Sequence, residues 1–230
     1  MNIEKNLIRG EIVKRYNSLL MDVRLDGGKI ITAFCSSLKI GNICVAGNYV
    51  YLKKQPRLRI VQHEIEFIET KDGLILVNPT YKRQLFLEAF EQGMVSELRD
   101  FSACREFSSG EALSFADFEL MNKNHEKCVV FIENVYGKLG GYSAFPEGIN
   151  FFEIEMFENL ARLRKKGYRT IVFMIVPRED CAEAKFSWGL DPVAAAKIFD
   201  EAKNGLEFIC YGCNVGTNNV TINRSMNILY

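Results

Sequence analysis

A chain of 230 residues with 48% apolar and 25% charged side chains has the composition of an ordinary globular protein, long enough for one large domain or two small ones. Its 29 basic and 29 acidic residues cancel, so it lacks the basic excess of a dedicated nucleic-acid binder, and no apolar run reaches the roughly 18 residues that span a bilayer. Seven cysteines, an odd number scattered through a chain that can bury a core unaided, read as reduced thiols of a cytoplasmic protein.

The opening "MNIEKNLIRGEIVKRY" alternates charged with apolar residues and lacks the apolar stretch of a signal peptide. Short apolar runs separated by turn signals follow: "LLMDVRL" before "DGG", then "KIITAFC", "GNYVYLKK", "IVQHEIEFIE" and, after "TKDG", "LILVN". Five short strands in about 80 residues, with Asp-Gly turns, predict a small OB-like β-barrel. The charge balance changes sign near "VNPTYKR": residues 1–80 carry 12 Lys and Arg against 8 Asp and Glu, and residues 81–230 carry 17 against 21. With the change in pattern, this divides the chain into domains 1–80 and 81–230, although a solvated surface gives the same asymmetry.

Beyond residue 80 the apolar period lengthens. Leu85, Ala89, Phe90 and Met94 in "RQLFLEAFEQGMVSEL" have helical spacing. Strands are predicted at "LSFADFEL" and "CVVFIENV", then a helix at "NFFEIEMFENLARLRKKG" whose basic end suits a C-terminus before Gly167. The unbroken apolar run "TIVFMIV" predicts a strand covered on both faces. "DPVAAAKIFDEAKNG", with a capping Asp and a first-turn Pro, predicts a helix, and "LEFICYGCNV" a last strand. The order from residue 113 is β-β-α-β-α-β, an α/β plan with a parallel crossover.

Several of these stretches, in order, resemble blocks of the sugar fermentation stimulation protein A (SfsA) family: "LIRGEIVKRYNSLLMDVRLDGG", "VNPTYKRQLFLEAFEQGMVSEL", "CREFSSG" followed by "ADFEL", "SAFPEG" and "CYGCNV". The resemblance implies an OB-like barrel joined to a restriction-endonuclease-like α/β domain, non-specific DNA binding and metal-dependent nuclease chemistry. The family's nuclease signature is an Asp on one strand and Glu-x-Lys on the next. Positions two apart on a strand share a face, so Asp and Glu can hold Mg²⁺ or Mn²⁺ between them while the Lys orients the attacking water.

Carried over residue by residue, the resemblance places the Asp at Asp117, but the Glu position falls on Phe131 and the Lys position on Glu133. A ring cannot ligate a metal, and a carboxylate repels phosphate where an ammonium would attract it, a difference on the order of several kcal/mol at short range. The family's Cys-Pro-Asn-Thr-Gly loop reads "CSSLKIG" here, keeping Cys35, and its helix bearing Arg, Lys and His carries Phe152, Glu155 and Met156. The leading expectation is therefore a catalytically degenerate member with no metal cofactor and at most weak nucleic-acid binding.

Two other readings stay open. One is a nuclease with a rearranged site, in which Asp117 and Glu133, joined by Glu88 or Glu147, bind Mg²⁺ or Mn²⁺ and Lys138 replaces the missing lysine. The other is an interaction scaffold that binds no nucleic acid. The main nucleic-acid feature is the basic stretch Lys53, Lys54, Arg57 and Arg59 beside Tyr49 and Tyr51, since OB barrels pair cations with aromatic platforms. "RLRKKGYR" at 162–169 is a second basic cluster. Cys210 and Cys213 lie three apart, so on a strand they face opposite ways and cannot share a metal. His63 and His125 stand in no metal or catalytic spacing.

Overall fold

A computed structural model of the chain describes all residues except 4–5, 18, 41–42, 56–60, 147–150, 189–191 and 230, and leaves aside the side chains of 151–154 and 194. Six strands come first: β1 (Ile8–Arg15), β2 (Leu20–Leu25), β3 (Ile30–Phe34), β4 (Tyr49–Lys54), β5 (His63–Thr70) and β6 (Gly73–Leu76). The pairings β1–β2, β2–β3, β3–β5, β5–β4 and β4–β1 close a five-stranded OB-like barrel, and β6 adds to the outer edge of β5. Alternation fills the interior with Ile12, Met21, Val23, Ala33, Val50, Leu52, Ile65 and Ile68.

The fifth barrel strand is β1, not the "LILVN" segment that the sequence pattern supplies. Its signal is hidden because Gly10 interrupts the apolar alternation. A Cβ there would sit 2.5 Å from Val23 Cγ1 and 2.9 Å from the Arg24 carbonyl oxygen, so the close approach of β1 to β2 admits only glycine.

The second half contains α1 (Lys82–Glu91), β7 (Phe101–Glu106), β8 (Phe118–Asn122), β9 (Lys127–Asn134), β10 (Lys138–Leu139), β11 (Tyr142–Phe145), α2 (Phe151–Lys165), β12 (Arg169–Val176), β13 (Glu183–Phe186), α3 (Pro192–Lys203), β14 (Glu207–Val215), β15 (Val220–Ser225) and β16 (Ile228–Leu229). The main sheet has the order β15-β14-β12-β9-β8-β7, with β9, β12 and β14 parallel and the outer strands antiparallel. A small sheet, β10-β11-β13-β16, flanks it.

Both faces of the main sheet are covered, as the unbroken apolar run of β12 requires. Ile171, Phe173 and Ile175 join Leu85 and Phe86 of α1 in one core, and Val172, Met174 and Val176 join Phe157 and Leu160 of α2 in another. Cysteines are shared out among the cores: Cys128 and Cys213 in the first, Cys181 and Cys210 in the second, Cys35 and Cys44 inside the barrel. Cys210 and Cys213 thus lie on opposite faces, and burial raises both thiols to about 12.

Strands β7, β10, β11, β13, β15 and β16 escape the sequence reading: β10 and β16 are two residues long, and the other four interleave polar or small residues without a clear apolar run. "LSFADFEL" yields a strand only from Phe118, the preceding residues forming turns. The capping Asp191 of α3 lies outside the described residues. Barrel and sheet are closely joined. Tyr136, just beyond β9, is buried in the barrel core and donates to the Val77 carbonyl at 3.3 Å, while the Leu76 amide donates to the Pro177 carbonyl at 3.1 Å. The division we propose, near residue 80, falls between β6 and α1. Among the described residues no helix is long and apolar enough to cross a membrane.

Candidate functional site

Asp117 stands one residue before β8. Its amide donates to the Val130 carbonyl at 2.9 Å, one step beyond the Phe118–Val130 pair, so it lies across from Phe131. Its carboxylate is 3% exposed and fully engaged. Oδ2 accepts from the Ile132 amide at 2.7 Å and from Lys82 Nζ at 3.0 Å, and Oδ1 accepts from Arg83 Nε at 2.7 Å. Lys82 also donates to the Ile132 carbonyl at 2.8 Å and lies 5.0 Å from the centre of the Phe131 ring.

Both cations come from the first turn of α1, where the helix dipole disfavours positive charge. Asp117 offsets that penalty and fixes the helix to the sheet. Arg83 extends the pairing outward, donating from Nη1 to Glu106 at 2.6 Å. Partial burial works against its charge, but the hydrogen bonds to Asp117 and Glu106 hold the guanidinium above its ordinary range.

Glu133 shares a strand face with Phe131, as the period of two requires, and its partner arrives from the barrel. Lys39, in the "CSSLKIG" loop after β3, donates to Glu133 at 2.5 Å, the carboxylate being 13% exposed. The lysine that the sequence reading sought in Lys138 is elsewhere. Lys138 begins β10 and binds Asp180 at 2.7 Å and Asp72 at 3.2 Å. Arg178, 2% exposed, completes that cluster with two bonds to Asp180, at 2.6 and 2.7 Å, and one to the Tyr136 carbonyl at 2.6 Å. Burial disfavours the Asp180 carboxylate, yet Arg178 and Lys138 hold it down to about 2.

The carboxylates do not gather around Asp117. Glu88 turns to the amino group of Met1 at 2.6 Å, and Glu147 lies outside the described residues. Among the described residues no three His, Cys, Asp or Glu side chains could jointly hold a metal ion. The donor set at Asp117 does not fit Mg²⁺ or Mn²⁺ either: one ligand position is a phenyl ring, and the remaining carboxylate oxygens already accept from two cations and an amide.

On the barrel, Tyr49, Tyr51 and Lys53 share the outward face of β4. The guanidinium of Arg9 sits 3.7 Å over the Tyr49 ring, and Tyr51 donates to Glu69 at 3.0 Å while packing toward the α1 core. Lys53 lies opposite Glu64 and Lys54 opposite His63 across the β4–β5 ladder, and Arg57 and Arg59 lie outside the described residues. Burial, Lys54 and Lys29 together lower the pKa of His63. His125 occupies the β8–β9 turn with a φ of 62°.

Residues 80–219 match the model of the sugar fermentation stimulation protein RE domain. A sugar fermentation stimulation protein homologue of Maricaulis maris is 31% identical over 232 residues, covering 99% of this chain and 98% of the relative. A homologue from Paramagnetospirillum magneticum is 27% identical, covering 96% and 95%. The chain belongs to the sugar fermentation stimulation protein family. A solved structure, SfsA of Pyrococcus furiosus in complex with Ca²⁺, superposes with a TM-score of 0.85 over 100% of both chains at 14% identity, and shows that the fold is that of SfsA.

Of the positions carried over from the resemblance, Phe131 and Glu133 lie on β9, and Asp117 lies beside them one residue ahead of β8. Lys82, Arg83 and Lys39 were missed as their partners. The only signal for the first two was two adjacent basic residues opening an amphipathic helix, which no local pattern links to an acid 34 or 35 residues away.

Proposed function

We propose that this SfsA-family chain has lost metal-dependent phosphodiester cleavage at the Asp117 position and retains weak, non-specific binding of single-stranded nucleic acid through its barrel. One observation carries the first part: Lys82 and Arg83 contact the Asp117 carboxylate at 3.0 and 2.7 Å, where the family's chemistry calls for a divalent ion. An ammonium and a guanidinium neutralise the charge that would attract the metal, and Phe131 removes the second ligand. Tyr49, Tyr51, Lys53 and Lys54 support the second part, as an aromatic and basic strand on an OB-like barrel. The free cysteines support a cytoplasmic location.

The test is incubation of the purified chain with linear duplex DNA, single-stranded DNA and RNA in the presence of Mg²⁺ or Mn²⁺. The expected result is no cleavage, together with retention of single strands that weakens as salt rises. Cleavage abolished by Asp117→Ala overturns the first part. Salt-independent or absent retention overturns the second and favours a protein-binding scaffold.

A nuclease with a rearranged site is the second reading. The Lys39–Glu133 pair favours it, because it returns a lysine and an acid to the inherited strand end. The Ca²⁺ complexed by the Pyrococcus furiosus SfsA belongs to that protein. For a metal to bind here, Lys82 and Arg83 would first have to leave Asp117. A divalent ion bound in calorimetry and lost on Asp117→Asn would support this reading.

A further inference from the structure

Where the β5–β6 turn of the barrel faces β10, the structure leaves a cleft of about 470 Å³. Its wall includes Ile43, Val45, Lys71 and Asp72 from the barrel side and Lys138 and Arg178 from the second half of the chain. This volume lies within the roughly 300–1,000 Å³ of small-molecule pockets, and a seam between two folded units is where such pockets concentrate. The Asp117 position is elsewhere: Lys82, Arg83, Phe131 and Glu133 take no part in the wall.

Charge selects what can enter. Lys71, Lys138 and Arg178 are the cations of the wall, and Asp72 is its acid. Asp180 also counts against them, because it pairs with Lys138 at 2.7 Å and with Arg178 at 2.6 and 2.7 Å. Lys71, Lys138 and Arg178 against Asp72 and Asp180 leave a positive charge over, which attracts an anion.

Hydrogen-bonding capacity is left over as well. Lys138 is engaged by Asp180 and Asp72, and Arg178 by Asp180 and the Tyr136 carbonyl. An ammonium and a guanidinium carry more donors than these bonds use. The acids also hold both side chains in place, so little ordering remains when an anion arrives. Lys71 is exposed, and its ammonium has no partner among the described residues.

The remainder of the wall asks for carbon. Ile43 is buried, and Val45 beside it is 47% exposed. A bare inorganic oxyanion is only a few waters in size, and a water takes about 30 Å³ of liquid, so it would leave most of the cleft unfilled.

We propose that this cleft binds a small organic oxyanion, a phosphate ester or a carboxylate, with its charged group on Lys71, Lys138 and Arg178 and its carbon skeleton against Ile43 and Val45. The site is independent of the nucleic-acid reading above.

The full chain is titrated calorimetrically at low salt with phenyl phosphate, benzoate, inorganic phosphate and benzyl alcohol, each to millimolar concentration. The expected result is saturable one-to-one binding of phenyl phosphate or benzoate, weaker binding of inorganic phosphate and none of the alcohol. The tighter of the two organic ions tells which oxyanion group the cations select. Lys71→Glu weakens binding about 10-fold, and Val45→Trp, which fills the cleft, weakens it at least as much. Both positions are exposed, so both variants keep the melting temperature of the unliganded chain.

Absence of saturable binding by either organic ion overturns the proposal. Binding that both variants leave unchanged overturns the cleft as its place. Inorganic phosphate bound as tightly as phenyl phosphate overturns the role of Ile43 and Val45, and benzyl alcohol bound as tightly overturns the role of the cations.

Discussion

Two carboxylates in this molecule are held in the same manner, Asp117 beside β8 and β9 and Asp180 close to the barrel's β5–β6 turn. Each binds one lysine and one arginine at 2.6–3.0 Å. Asp180 stands outside the family's nuclease signature; its cluster joins the β5–β6 turn, through Asp72, to β10. The same arrangement at Asp117 joins α1 to β8 and β9. The difference lies in reach: Lys82 and Arg83 come from one helical turn, whereas Lys138 and Arg178 come from separate segments. The likeness teaches that the Asp117 carboxylate has the same constitution as a structural tie between segments.

The largest effect expected from breaking the comparison is at Asp117 itself. Asp117→Ala takes the only acid from Lys82 and one of two from Arg83, which keeps Glu106, and leaves the Ile132 amide unsatisfied; it should cost about 3–5 kcal/mol in urea unfolding at neutral pH. A metal site built from mutually repelling acids responds in the opposite sense, gaining stability when one acid is removed. An unchanged or raised midpoint would therefore separate the two clusters. Arg178→Met should cost somewhat less, about 3 kcal/mol by the same measurement, since Lys138 stays with Asp180 while the Tyr136 carbonyl loses its donor.

Smaller effects follow at Glu133. Lys39→Glu and Glu133→Lys should each cost about 1–2 kcal/mol, and the double exchange should recover most of the loss. Strict additivity in that cycle would show that the pair contributes nothing to joining barrel and sheet.

The mildest effects are those of pH. The folded Asp180 carboxyl titrates near 2 against an ordinary 3.8, so its contribution to stability is full above about pH 4 and is lost as pH falls toward 2. Asp180→Asn should flatten that limb of the melting-temperature profile. Glu66 acts with the opposite sign. Burial raises its pKa despite hydrogen bonds from Tyr81 and Asn78, so stability falls as pH rises through its folded value, and Glu66→Gln should raise the melting temperature at neutral pH.

What could be read from the sequence follows the range of the forces involved. The strands β2 to β5, the helices and the double-faced β12 are written in local periodicity, and all appear. The β1 strand does not, because Gly10 answers to Val23 on the next strand rather than to its own neighbours. At the site, the alternation of β9 placed Phe131 and Glu133 on one face. The identity of the groups facing Asp117 and Glu133 depends on contacts across 34 to 94 residues, for which spacing carries no signal. The loop "CSSLKIG" holds both Cys35, the residue it keeps from the family loop, and Lys39. Cys35 proves to be barrel core, and the lysine is the residue that reaches the site.

The sharing of six buried cysteines, two to each core, gives the protein a built-in set of reporters. Thiol-reactive labels read by peptide mass under mildly destabilising conditions would time the opening of the barrel, the α1 layer and the α2 layer separately. Modification of Cys213 ahead of Cys210, only three residues along one strand, would mean that one side of the sheet loosens while the other stays shut.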